Sequence, residues 1–221
     1  MSSAFYEGND IKTIIRFFSA DQIKHMLNVE RLVDSMTKEL LCNGIDTGLS
    51  EENSESYQYF GRAAFYHDIG KVYVPPEILC KPGKLTQEEV RMMHRHTVAA
   101  GDLFRRISDG EIRGMPGPLI PFARDCALYH HEWWNGEGYP FGISREHIPL
   151  VARITSICDA YDAIISDRVY RKANSHAFAR REIEKNAGTQ FDPMLTEIFL
   201  DHEAEIIGVL KKTAINGVPS H

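Results

Sequence analysis

The chain has 221 residues, enough for one large domain or two small ones, and 43% of them are hydrophobic, so a packed core is within reach. Its formal net charge of −6 is the wrong sign for a dedicated binder of DNA or RNA. No apolar run approaches the roughly 20 residues of a membrane span, and "MSSAFYEGND" lacks the basic start and apolar stretch of a signal peptide.

The pattern along the chain is helical. Ser19 and Gln22 in "SADQ" make a capping box. Ile23, Met26, Leu27, Leu32, Val33, Met36 and Leu40 then recur at helical spacing until Asn43-Gly44. "GIDTGLSEENSES" reads as a polar loop, and a second helix is expected from about Ser54 to the "YHD" at Tyr66–Asp68. The prolines and glycine of "VPPEILCKPGKL" predict a fixed loop. Thr86 and Glu89 form another capping box, opening a helix with Val90, Met93, Val98, Leu103 and Phe104. "SDGEIRGMPGP" is a loop, and a helix from about Pro118 runs to His130-His131. After "GYP", Pro149 fits the first turn of a helix through "LVARITSICDAYDAII". Ser175 caps the next helix, ending at Gly188, and Asp192-Pro193 opens the last, running to about Lys211. Nothing alternates with period two for long. The expectation is a single all-α domain, a bundle of seven or eight helices with residues 19–212 as its core and 1–18 as an extension. Cys42, Cys80, Cys126 and Cys158 form no CxxC, which reads as free thiols in a reducing cytoplasm.

The histidines and carboxylates carry the chemistry. His67-Asp68 ends an apolar helix. Asp159 and Asp162 lie three apart, on one side of a helix rich in Ile and Ala. Asp21 and His25 lie four apart on one face. His96 sits at the core edge of its helix. His130-His131 are adjacent, and adjacent helical residues share a target only where a helix ends or the target lies above its axis. Each has a plain alternative: a hydrogen-bonded core histidine, a surface pair, or a salt bridge from Asp159 to Arg153 or Arg168. Acidic residues on apolar faces are costly unless paired or metal-bound. Bundle interiors commonly hold metals between His and carboxylate ligands.

The order of the motifs resembles one family. "HDIGK" (67–71) is followed by "VPPEILCKPGKLTQEE" (74–89) and "HHE…GEGYP" (130–140). Then come "IPLVARITSICDAYDAIISDRVYR" (148–171) and "GTQFDP" (188–193). Together they resemble the HD-GYP family, a branch of the HD-domain metal-dependent phosphohydrolases, from about Asp21 to Leu200. The resemblance implies a helical bundle with two or three divalent metals in its core. His67, Asp68, His96, His130, His131 and Asp159 match ligand positions, with Asp68 bridging two metals. His25 matches an upstream ligand, and Asp21 falls where three-metal members carry Glu. His94 occupies a variable position and reads as a decoy. Lys71 matches a phosphate-contacting lysine and, with Asp68, the catalytic machinery. Gly138, Tyr139 and Pro140 form the named turn, and Arg168 and Arg171 match basic positions near the substrate phosphates.

The implied activity is hydrolysis of cyclic di-GMP to the linear dinucleotide, and on to GMP in three-metal members, with a metal-bridging hydroxide attacking. His-plus-carboxylate ligation suits iron or manganese first, then zinc or nickel, and not magnesium or calcium. The implied setting is bacterial cytoplasmic signalling, with a homodimer or a signalling protein as partner. Asn135 stands where the family carries Asp and is expected to be neutral. Ala100-Gly101 shifts a small residue by one. Asp21 is one methylene short of Glu, which bears on the third metal. The extra "ISDGEIRGMPGP" suggests a lid or an oligomer contact. Trp133 and Trp134 are read either as packing at a helix end or as a wall for a guanine. The rival readings are a phosphohydrolase of another nucleotide or cyclic dinucleotide, an inactive cyclic-dinucleotide sensor, and a di-iron oxygenase.

Overall fold

A computed structural model of the chain describes residues 9–44, 51–167 and 172–215. Among these residues there are ten α-helices and no strand. They are α1 (Ile11–Ile15), α2 (Ala20–Cys42), α3 (Phe60–Ala64), α4 (Pro76–Leu79), α5 (Gln87–Ser108), α6 (Ile120–Tyr129), α7 (Leu150–Ile165), α8 (His176–Lys185), α9 (Pro193–Asp201) and α10 (Glu203–Ile215). The all-α expectation holds. None of the described helices is long and apolar enough to cross a membrane.

Local chemistry sets most boundaries. Ser19 with Gln22, and Thr86 with Glu89, complete both sides of their capping boxes at the starts of α2 and α5. Lys81 also grips Glu89, at 2.6 and 2.8 Å, tying the preceding loop to the start of α5. Asp192 accepts the backbone N–H of Met194 and Leu195 at the start of α9 while pairing with Arg153 of α7 at 2.5 Å. That buried pair anchors "GTQFDP" to the helix carrying Asp159. α2, α3, α6 and α7 pack together around a core that includes Leu32, Met36, Phe60, Ala64, Ile154 and Tyr161.

The helix count exceeds the expected seven or eight for three physical reasons. Pro75 and Pro76 start a single helical turn, α4, because proline suits the first positions of a helix. The expected last helix breaks at His202, where Arg180 takes the carbonyl of Leu200 at 2.9 Å and the carboxylate of Glu203 at 2.7 Å. α1 forms inside the segment read as an extension.

The expected second helix is broken into 3-10, α-helical and turn segments. A 3-10 helix spans Glu51–Tyr59, α3 is brief, and a second 3-10 helix spans Ile69–Tyr73. The expected polar loop, residues 44–56, is instead part of that first 3-10 helix from Glu51 on, and its residues 45–50 lie outside the described residues. The extra segment before α6 packs against α1: Ile11 N–H donates to Arg113 O at 2.9 Å, and Arg113 N–H to Asn9 O at 2.8 Å. Ile112 and Leu119 are buried there.

Candidate metal centre

Five stretches of chain deliver the site. α2 supplies His25, the turn after α3 supplies His67 and Asp68, α5 supplies His96, the end of α6 supplies His130 and His131, and α7 supplies Asp159. Consecutive residues on an α-helix diverge. Both adjacent pairs converge because each sits where a helix gives way. His130 is the C-cap of α6, and Asp68 is the N-cap of the 3-10 helix that follows α3.

Gly70 makes that turn feasible. A Cβ there would stand 1.9 Å from the carbonyl oxygen of His96, so only glycine lets the Asp68 turn lie flat on α5.

The candidate ligand atoms fall into two groups. Those of Asp68, His96, His130 and His131 lie within 4.8 Å of one another, as do those of His25, His67 and Asp159. Asp68 stands between them. Its Oδ1 is 3.5 Å from His96 Nε2 and 3.9 Å from His130 Nε2. Its Oδ2 is 3.4 Å from His67 Nε2 and 4.0 Å from His25 Nε2. Asp159 Oδ1 is 3.1 Å from His25 Nε2 and 3.8 Å from His67 Nε2.

The rings are aimed from behind. Nδ1–H of His67, His96 and His130 each donates to a backbone carbonyl at 2.8 Å, from Ala64, Met93 and Cys126 respectively. His25 Nδ1–H donates to Asp162 Oδ2 at 2.6 Å, and Asn28 Nδ2 donates to Asp162 Oδ1 at 2.8 Å. In the neutral ring this arrangement fixes the tautomer that leaves Nε2 as a lone-pair donor. Nε2 of His25, His67, His96 and His130, and Oδ1 of Asp68, are buried without hydrogen-bond partners. Leaving five such atoms orphaned at one point is costly unless a cation gathers them.

The electrostatics fit the same arrangement. Burial lowers the pKa of His96 to about 4 and of His131 to about 3, and it pushes His130 well down, so all three stay neutral at pH 7. Burial alone would raise Asp68, but Lys71, His67 and His96 overcome it and hold the carboxyl well below its ordinary range. Asp159 is likewise held low against the effect of burial, through His25 and His67. Burial would lower His25, but Asp159 and Asp162 outweigh it and raise the pKa to about 9. The neutral rings of His96, His130 and His131 facing Asp68 suit a divalent first-row metal, and a metal entering the other group would displace the proton that Asp159 and Asp162 stabilise on His25.

Lys71 Nζ lies 2.5 Å from Asp68 Oδ2 and is one-fifth exposed, at the open edge of the cluster. Tyr139 of "GYP" stacks on His131, and its N–H donates to the carbonyl of His131 at 3.1 Å. Gly138 permits that return, since a Cβ there would come within 2.2 Å of Trp133 N. Tyr139-Pro140 is a cis peptide. Buried Glu132 takes the N–H of Phe141 at 2.7 Å and so ties the far side of the turn.

Of the positions expected to bind metal, seven come together and Asp21 does not. Asp21 is exposed in the first turn of α2, outside both groups. Arg168 and Arg171 lie outside the described residues. Asp162 and Asn28 were not among the expected site residues. The signal for Asp162 is its place three residues after Asp159 on an apolar helix. The backbone N–H of Trp134 donates to Gln190 O at 3.0 Å, and the Arg153 guanidinium lies 5.8 Å from the centre of its half-buried ring. Asn135 closes a turn on Glu137, accepting its N–H at 3.0 Å.

A family model described as "HD domain" matches residues 21–195. A "Probable cyclic di-GMP phosphodiesterase" of Vibrio cholerae is 42% identical over 156 residues, covering 71% of this chain and 35% of that protein. A "Cyclic di-GMP phosphodiesterase" of Thermotoga maritima is 37% identical over 181 residues, 80% of this chain and 46% of that protein. The chain thus spans about a third to a half of the length of these curated relatives. Among solved structures, Bd1817, an HDG"Y"P protein from Bdellovibrio bacteriovorus, superposes with a TM-score of 0.58 over 90% of this chain and 56% of that one. At 16% identity that likeness speaks to the fold.

Proposed function

The chain belongs to the HD domain family, and on that premise we propose that it is a metal-dependent phosphodiesterase that opens cyclic di-GMP to the linear dinucleotide. The observation that carries this reading is the position of Asp68. One of its oxygens faces His96 and His130, the other faces His67 and His25, and Lys71 stands 2.5 Å away at the open edge.

His25, His67 and Asp159 would hold one divalent metal, and His96, His130 and His131 the other, with Asp68 shared. Such a pair of cations lowers the pKa of bound water and neutralises phosphoryl oxygens. The imidazole and carboxylate donors fit iron or manganese, then zinc or nickel. The exposure of Asp21 favours two metals over three, and two-metal chemistry favours the linear dinucleotide as product.

The protein's own residues supply the rest. Lys71 presents a compact cation to a phosphate entering beside Asp68, where negative charge grows during attack on phosphorus. Gly138, Tyr139 and Pro140 form the adjacent wall. Arg168 and Arg171 are assigned to the remaining phosphate charge by the family resemblance. The names of the relatives support the substrate class. The four free cysteines agree with a reducing, cytoplasmic setting.

The test is incubation of the metal-loaded protein with cyclic di-GMP, and in parallel with the mixed guanine–adenine cyclic dinucleotide, followed by chromatography. The expected result is linear diguanylate as the dominant product. Faster turnover of the mixed dinucleotide would replace the substrate. Cleavage of neither, by protein with full metal content, would contradict the enzymatic reading.

A further inference from the structure

His94 lies two residues before His96 on α5 and is outside both ligand groups. Sequence alone marks it as a decoy. Its surroundings assign it a task.

His67, His96 and His130 are each aimed by a bond from Nδ1 to a backbone carbonyl, and His25 by Asp162. Among the described residues, no hydrogen bond holds the ring of His131. Ring contacts hold it instead. The His130 ring is 3.9 Å away, His96 meets it edge-on at 5.2 Å, and Tyr139 lies over it at 4.7 Å with the planes 27° apart. The other side of Tyr139 is covered by His94, centroid to centroid 3.7 Å and only 7° from parallel. His94, Tyr139 and His131 therefore form a column of three rings, rooted at one end in the helix that carries His96.

We propose that His94 is a positioning residue: by closing the outer face of Tyr139, it clamps that ring onto His131 and fixes the aim of a ligand without a hydrogen bond of its own. A flat ring at position 94 is what the clamp requires, and an ionisable nitrogen is not. The proposal rests on the metal-centre reading, and its test separates the two.

The full chain, stripped of metal, is titrated with Mn2+ or Co2+ against a chromogenic chelator. Wild type is compared with His94→Ala, His94→Leu and His94→Phe, and the melting of each metal-free protein is recorded. His94→Ala and His94→Leu are expected to weaken one of two sites about tenfold, the low end of what losing an outer partner of a ligand costs. His94→Phe is expected to restore it, with metal-free melting alike in all. His94→Leu keeps the bulk without the flat face and serves in place of His94→Ala should the latter fail to fold. Wild-type metal affinity in His94→Ala and His94→Leu would overturn the proposal. So would a loss in His94→Phe equal to that in His94→Leu. Normal metal affinity with a raised KM for cyclic di-GMP would also overturn it, placing His94 against a substrate base instead. A wild-type protein that takes up no metal would instead sink the metal-centre reading itself.

Discussion

Asp162 accepts the Nδ1 hydrogen of His25 at 2.6 Å while its other oxygen takes the amide of Asn28 at 2.8 Å. The carboxylate is fully buried and has no outlet to water. It therefore acts on the site only through His25, whose Nε2 it turns toward Asp159. Asp162→Asn leaves one acceptor oxygen for two donors and sets an NH2 against the other, so one of the two bonds is lost and the anion behind His25 is removed. The affinity of the His25, His67 and Asp159 group for metal should fall by about 10- to 100-fold, the cost typical of an outer partner of a ligand. The His96, His130 and His131 group should keep its metal. Metal content after dialysis against a weak chelator checks this. Two retained metals per chain would contradict it.

Lys71 contacts Asp68 yet is not a metal ligand. Lys71→Met should leave metal content intact and lower kcat by about 10²–10³-fold, as loss of one transition-state charge contact does. Lys71→Arg should recover only part, because a planar fork does not replace a compact ammonium. Initial rates with quantified metal decide. A variant that loses metal along with activity would show Lys71 to be structural.

Gly70 is pressed against α5. Gly70→Ala would drive a methyl into the carbonyl of His96. Overpacking of this kind costs roughly 1–3 kcal/mol. Thermal melting should register that loss, and metal affinity should drop with it, since the displaced turn carries Asp68. Unchanged melting would mean that α5 and the turn move apart freely.

Much of this centre was legible in the sequence, because its ligands sit in short motifs whose order along the chain resembles one family. The adjacent pairs His67-Asp68 and His130-His131, with His96 and Asp159, each had a plain alternative when taken singly, and it was the order of the motifs and the resemblance it carries that named them together. The aiming contacts were less legible. Asp162 reaches His25 across 137 positions of chain. The column from His94 to His131 depends on how the loop after α6 folds back, which no periodicity encodes. α4 was missed because prolines were read as helix breakers, although two prolines at a start favour a turn. The extra segment before α6 gave no sign that its backbone pairs with Asn9 and Ile11.

The metal-free protein carries a pH signature. His96 and His131 have folded pKa values of about 4 and about 3 against an ordinary 6.5, and His130 is also low. Below about 6.5 the unfolded chain takes up protons that the folded chain refuses, so stability falls as pH falls. His25, raised to about 9, acts in the opposite sense while its unfolded counterpart finishes titrating just below 6.5, but it is one group against three. Glu30 and Glu132, raised by burial, act in the opposite sense, since the folded carboxyls take up protons before the unfolded ones do. The melting temperature without metal should therefore drop steadily from about pH 6.5 to 5.5. A flat or rising profile across that window would contradict the burial of these three rings as neutral ligands.

The most direct test of the central claim uses Asp68. Wild type and Asp68→Ala are purified anaerobically, metals are quantified, and each is incubated with cyclic di-GMP. The account predicts two metals per chain and linear diguanylate from wild type. It predicts loss of metal from both groups, and of turnover, in Asp68→Ala. Turnover by a metal-free wild type, or an Asp68→Ala protein that keeps both metals and full activity, would contradict it.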